Sequence, residues 1–342
     1  MPSLPCCSGT SLSSACLLQF HGGNRHIGMT PSATTRDRTI PLGLVGGGPA
    51  WDAGYRAAVL ALTRGRVAAV FAPQPSDAEP LATETGGQLF HSLRRMIDRS
   101  GIRALLVFES GWTLDWAMEL ALSRHLPVFA ACPIDEALPR IAPSLTAGEA
   151  EGAVIVPGSR LRATPSTLRL RELVATKLGP IQALQVELMV TRSRVDSRAV
   201  ELIDWCRSLL NSPVHQIHRK ARDAGETLVM SCGRRSASTS LVRAEIRLLD
   251  SATREGEPKH TVPRFPHVHI ECQHGQVELL SETHIRWSTS TESGDEALDG
   301  DRPAEQVLLD LFLRRVVGGV VPVPSWAELD EACRLWESVN PK

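Results

Sequence analysis

Between residues 40 and 131, short apolar runs alternate with segments whose apolar residues recur at helical spacing, and this alternation constrains the fold most. The runs are 41–45, 67–71, 104–108 and 127–131. Each is short and apolar throughout, as strands buried on both faces are. The segments between them predict helices over about 50–64, 76–85, 92–100 and 112–124, with another starting near Ile134. Parallel strands cannot be joined by a tight turn and need a crossover, so strands separated by helices pair in parallel. The expected class of this half is a doubly wound α/β sheet.

The pattern changes after 148–152, a glycine-containing stretch that reads as the division between two domains. Residues 153–156 predict a further strand, and 166–178 a helix closed by Gly179-Pro180. Beyond it, 183–190 alternates, 200–210 is helical, and 214–220, 226–232, 240–249, 266–272 and 276–280 are strand-like. Strands without intervening helices imply an antiparallel or mixed sheet. Residues 288–301 are polar and acidic and read as a surface loop, followed by helices over 303–317 and 325–338. Residues 1–39, rich in Ser, Thr, Pro and Gly and without periodicity, read as a disordered leader; Met29 is an alternative start. The predicted organisation is a leader (1–39), a doubly wound α/β domain (40–150) and an α+β sheet domain (151–342).

Charge narrows the partners. Lys and Arg number 37 against 38 Asp and Glu, a net charge of −1, which leaves no basic excess for a nucleic acid backbone. No apolar run approaches the ~20 residues that span a bilayer. Residues 16–20 are too short for a signal-peptide core and no Lys or Arg precedes them, so a cytoplasmic location is expected. The 8 cysteines show no CxxC or zinc spacing and are expected to be reduced. His260, His267, His269, His274 and His284 lie near one another in sequence without a completing ligand pattern; they read as surface histidines, and no metal is expected.

The first apolar run ends in Gly46-Gly47-Gly48 and leads into a helix. Glycines let a backbone approach a phosphate, and a helix start offers free N–H groups and the positive end of a dipole. Gly46 and Gly48 fit a G-x-G fingerprint, but its third position is Trp51. The competing reading is a tight turn with no ligand. An acid at the end of the second strand would bind ribose hydroxyls. That stretch reads Phe71-Ala72-Pro73-Gln74-Pro75, and Asp77 lies too far along.

Gly43 to Pro49, followed by Gly54 and Arg56, resembles the nucleotide loop of the Gfo/Idh/MocA oxidoreductases. Residues 124–133, ending Ala131-Cys132-Pro133, are similar to that family's strand ending in Glu-Lys-Pro. Residues 202–210 resemble the helix of its second catalytic motif, and 267–280, Trp287 and 312–319 resemble its last strands and closing helix. The likeness runs in order over roughly 40–338. It implies a Rossmann-type doubly wound parallel sheet, then a C-terminal α+β domain on a mostly antiparallel or mixed sheet that can pair subunits into a homo-oligomer. It also implies NAD or NADP as cofactor and a sugar-like or cyclitol substrate. Gly46, Gly47, Gly48, Pro49, Ala72 and Pro133 become the candidate cofactor contacts.

Hydride transfer from a carbinol needs an acid/base beside the hydroxyl, so that proton and hydride leave together. Cys132 stands where the resemblance puts the polarising Lys; a thiol with an ordinary pKa near ~8.5 is not a fixed positive charge. Asp204 matches the Asp of the second motif, Glu201 takes the place of its His, and Asp196 is one residue, hence ~100°, off the upstream Asp position. Leu114 falls where the family has a His after the third main strand, and Glu109-Ser110 where it has Thr-Pro. These replacements predict an oxidoreductase homologue with impaired or lost hydride transfer, Asp204 serving a structural hydrogen bond. The alternative is an active NAD(P)-dependent dehydrogenase of a sugar or cyclitol, rewired with Glu201 as base.

Overall fold

A computed structural model describes residues 39–131, 148, 152–222, 225–233, 241–250 and 265–340. The predicted leader up to residue 38, the helix expected from Ile134 and His260 lie outside them.

Strands β1 (Ile40–Val45), β2 (Gly65–Phe71), β3 (Gln88–Leu89), β4 (Ala104–Val107), β5 (Val128–Ala130) and β6 (Ile155–Pro157) form one sheet, in the order β3-β2-β1-β4-β5-β6. Every pairing in it is parallel. This is the doubly wound order, as the alternation predicts. Two details differ from the sequence reading. β3 has only two residues, too few to carry a period. β6 pairs with β5, so the sheet continues past residue 150, where the division was placed.

Helices α1 (Arg56–Leu60), α2 (Pro75–Thr85), α3 (Leu93–Arg99) and α4 (Gly111–Leu122) are the crossovers. The helix expected over 50–64 is broken. Trp51–Tyr55 forms a wide π-type turn closed by a hydrogen bond from the Arg56 N–H to the Trp51 carbonyl, and Gly54 inside it has φ +151°. The reason is packing. The Glu305 carboxylate lies against Gly54, and a Cβ there would come 2.8 Å from Glu305 Oε1. Glu305 belongs to α7 (Ala304–Val316), which comes from the far end of the chain yet packs on the first sheet: its Phe312 ring is 5.7 Å from that of Phe129 on β5.

The second sheet comprises β7 (Ile181–Val190), β8 (Val214–Arg222), β9 (Gly225–Cys232), β10 (Val242–Asp250), β11 (His267–Cys272), β12 (Gly275–Ser281), β13 (His284–Thr289) and β14 (Ser293–Ala297). Its order is β14-β13-β12-β11-β7-β10-β9-β8, antiparallel except for β7 with β10. The alternation along β7 is explained directly. Leu184, Val186, Leu188 and Val190 are buried against Leu202, Ile203 and Trp205 of α6 (Val195–Leu210). Each such side chain contributes about 1.5–3 kcal/mol by leaving water. The opposite face carries a cross-strand ion pair, Glu187 with Arg247, and a pair along β10, Arg247 with Glu245. Residues 288–301 were read as a loop but contain β14, an edge strand whose exposed acidic residues give no apolar alternation.

Two more helices complete the fold. α5 (Pro165–Leu173) is capped by the Thr164 hydroxyl and has Pro165 at its first position. It gives way to a wider turn over Val174–Leu178 and stops at Gly179, φ +71°. α8 (Trp326–Val339) opens with a capping box of Ser325 and Glu328. Among the described residues no helix is long and apolar enough to cross a membrane.

Candidate functional site

In this strand order the chain winds away from β1 on one side through β2 and on the other through β4. The crevice above the carboxyl ends of β1 and β4 is where such folds bind ligands. Gly46, Gly47 and Gly48 follow β1, and Phe108 and Glu109 follow β4, so these two segments meet at the switch point.

They meet closely. Gly46 has φ +73°, and a Cβ on it would lie 1.9 Å from Cγ of Glu109. A Cβ on Gly48 would lie 2.6 Å from the Phe108 carbonyl oxygen. The Gly47 N–H donates to Glu109 Oε1 at 3.2 Å. The glycines therefore serve the approach that a phosphate would require, but the group lying on them is the chain's own carboxylate. Burial pushes the Glu109 carboxyl above its ordinary value, the Gly47 N–H pulls it down, and Asp77, in the first turn of α2, pushes it up again. A diphosphate would face one carboxylate at the N–H it needs and a second close by. With Glu109 in this place, the residues of the turn do not fit a dinucleotide.

Trp51 has a different part from the one its position suggests. It is buried against Phe108 with ring centroids 5.5 Å apart, and its backbone N–H donates to the Gly48 carbonyl at 2.8 Å, so it braces the turn. Pro49 is exposed at the start of that turn, and Ala72, at the end of β2, is buried among apolar side chains. Leu114 is fully buried on α4. Cys132 and Pro133 lie outside the described residues.

The second motif is built around arginines. Asp204, on α6, is buried and paired at two points with Arg162: Nε donates to Oδ2 at 2.8 Å and Nη2 to Oδ1. Arg162 sits in a single 3-10 turn, Arg160–Ala163, and its Nη1 also reaches Glu328 of α8 at 2.7 Å. Burial opposes the charge on Arg162, but Asp204 and Glu328 outweigh it and raise its pKa. In the same turn, Arg160 forks onto Glu282, between β12 and β13, and also pairs with Glu305. This short turn thus ties α6, α7, α8 and the second sheet together. Glu201, one helical turn before Asp204, pairs with Arg198. Neither Glu201 nor Asp204 is joined by a hydrogen bond or ion pair to the glycine turn among the described residues.

Sequence reasoning missed Glu109 as a site residue, although its signal was present: an acid directly after a buried strand, at the position where the resembled family has Thr-Pro. Arg162 had no comparable signal, because its partners come from segments distant in sequence. Among the described residues no group of three or more His, Cys, Asp or Glu could hold a metal, and His284 pairs with Asp295. Cys206, Cys232, Cys272 and Cys333 are free thiols.

No protein-family model and no curated protein sequence matches the chain. Solved structures do. It superposes on a UDP-N-acetylglucosamine 3-dehydrogenase, GnnA, from Acidithiobacillus ferrooxidans with TM-score 0.69 and 16% identity, covering 88% of this chain and 96% of that one. A putative myo-inositol dehydrogenase from Sinorhizobium meliloti gives the same figures, TM-score 0.69, 16% identity, 88% and 96%. An oxidoreductase from Agrobacterium radiobacter, solved with NAD+, L-tartaric acid and magnesium, gives TM-score 0.70 and 11% identity over 88% of this chain and 95% of that one. The chain has the two-sheet fold of these dehydrogenases along nearly its whole described length.

Proposed function

We propose that this chain is a Gfo/Idh/MocA-type protein that keeps the dehydrogenase scaffold and has lost hydride transfer. One observation carries the reading. The carboxylate of Glu109 lies on the glycine turn and accepts the N–H that a cofactor phosphate would take. Two others support it. The carboxyl end of β2 offers buried Phe71 and Ala72 in place of an acid for a ribose. Of the two ionisable residues at the second motif, Asp204 is committed to Arg162 and Glu201 to Arg198. Neither of these two carboxylates is left free to take the proton of a carbinol as hydride departs. The names of the solved neighbours favour a sugar or cyclitol as the kind of small molecule the scaffold once handled.

The test is titration with NAD and NADP, read by tryptophan fluorescence. The wild-type chain is expected to show no saturation below millimolar cofactor, and Glu109→Ala to bind more tightly than wild type. Micromolar binding by the wild type, with sugar-dependent reduction of the cofactor that Glu201→Gln abolishes, would establish the rewired enzyme instead.

A further inference from the structure

Away from the glycine turn, the chain has a pocket of about 490 Å³ between the 160–163 turn, α5, the end of α6, α7 and the start of α8. That size suits a small ligand. Its lining is mixed: Leu168, Leu311 and Val323 are apolar, and Arg171, Arg207, Ser208, Glu328 and Glu331 are polar.

The arginines at this pocket are unequally matched. Arg162 is met by Asp204 and Glu328. Arg207 is met by Glu331 and by the Glu328 carbonyl, but its Nε is buried without a partner. Arg171 has no carboxylate partner among the described residues; its one hydrogen bond, from Nη2, goes to the Ser208 hydroxyl at 2.6 Å. Arg171 is partly exposed to solvent, and the partial desolvation it meets at the pocket, and then Arg162, pull its pKa below the ordinary arginine value, with Glu328 opposing. A guanidinium without a counter-charge beside a cavity is suited to an oxyanion, which its planar fork can meet at two points. Charge limits which one. Three arginines face three carboxylates, those of Asp204, Glu328 and Glu331, so the cluster is neutral before a ligand enters. A single negative charge at Arg171 is tolerated, whereas a dianion would be repelled by Glu328 and Glu331 on the pocket's own wall. The apolar lining residues give such an anion somewhere to place a hydrocarbon body.

We propose that this pocket binds a small monocarboxylate with an apolar body, its carboxylate on Arg171 and Ser208 and its body along Leu168, Leu311 and Val323. The site is independent of the glycine turn and of whether hydride transfer survives.

The experiment uses the full chain with octanoate and 3-phenylpropanoate as probes, and 1-octanol and inorganic phosphate as controls, read by calorimetry and by the thermal midpoint. At least one acid is expected to bind saturably below about 1 mM and to raise the midpoint, as any ligand of the folded state does. Octanol, lacking the charge, and phosphate, lacking the body, are expected to bind at least tenfold more weakly. Arg171→Leu should weaken the acid at least tenfold, and Arg171→Lys should keep part of the binding. Leu311→Asp should weaken it as well, through the apolar wall. Arg171 makes only one hydrogen bond at an exposed position, so its variants are expected to fold, and an unchanged circular dichroism spectrum checks this. No binding of either acid, equal binding to Arg171→Leu, or tighter binding of phosphate than of octanoate would each overturn the proposal.

Discussion

Two carboxylates, Glu109 and Asp204, mark the two regions where the dehydrogenase fold would carry its chemistry, and they are held in different ways. Glu109 rests on the glycine turn by one backbone N–H at 3.2 Å, with burial and Asp77 both disfavouring its charge. Asp204 is gripped at two points by a buried arginine that a second acid also supports. The first arrangement is a latch that one substitution can release. The second is part of the framework, since Arg162 joins α6 to α8. If a cofactor site can be recovered in this chain, it is at the turn.

The largest effect should come from breaking the framework pair. Removing one member of a buried ion pair strands the other and costs about 3–5 kcal/mol. Glu328 remains on Arg162 in Asp204→Ala, so the lower end, about 3 kcal/mol, is expected, measured by urea denaturation. The double variant Arg162→Met with Asp204→Leu should recover most of that loss, because it leaves no unpaired buried charge. A loss below about 1 kcal/mol in the single variant would place Asp204 among ordinary surface acids and remove the contrast with Glu109.

The difference between these regions also explains what could be read from sequence. The first sheet was legible because parallel strands are buried on both faces and appear as apolar runs. β7 was legible through its alternation. β14 was not, since an exposed acidic edge strand has neither pattern. The glycine turn was legible as a shape. Its occupant was not, because Gly47 and Glu109 are 62 residues apart and meet only when β1 and β4 pair. Trp51 stands at the third position of the fingerprint, and the structure packs its ring against Phe108. Arg162 and Asp204 are separated by 42 residues, and nothing local to either announces the other.

An intermediate effect is expected at Gly46. Alanine there must adopt φ +73°, a left-handed conformation that costs about 1–2 kcal/mol, and its Cβ would collide with Glu109. In a Glu109→Ala background the collision is gone and the conformational cost remains. A double-mutant cycle should therefore give a coupling of about 1 kcal/mol between the two positions, with Gly46→Ala the more damaging when Glu109 is intact. Strict additivity would mean that Glu109 moves aside freely and is not seated on the turn.

The smallest effect tests the latch itself through pH. Burial holds the Glu109 pKa above its ordinary value of 4.5, so the folded chain takes up this proton at a higher pH than the unfolded chain does. The stabilising contribution of the protonated form is complete below about 4.5 and is lost as the pH rises through the folded value. Glu109→Gln is neutral at every pH and keeps an oxygen that can accept the Gly47 N–H. It should therefore be more stable than wild type near neutrality, with the gap closing as the pH falls toward 4.5, read as the difference in thermal midpoint across that range. A wild type more stable than Glu109→Gln at neutral pH would mean that the ionised carboxylate gains from the turn more than burial and Asp77 take away. The N–H of Gly47 would then be a strong anion site already filled, and a cofactor phosphate would have to displace a tight internal ligand rather than a strained one.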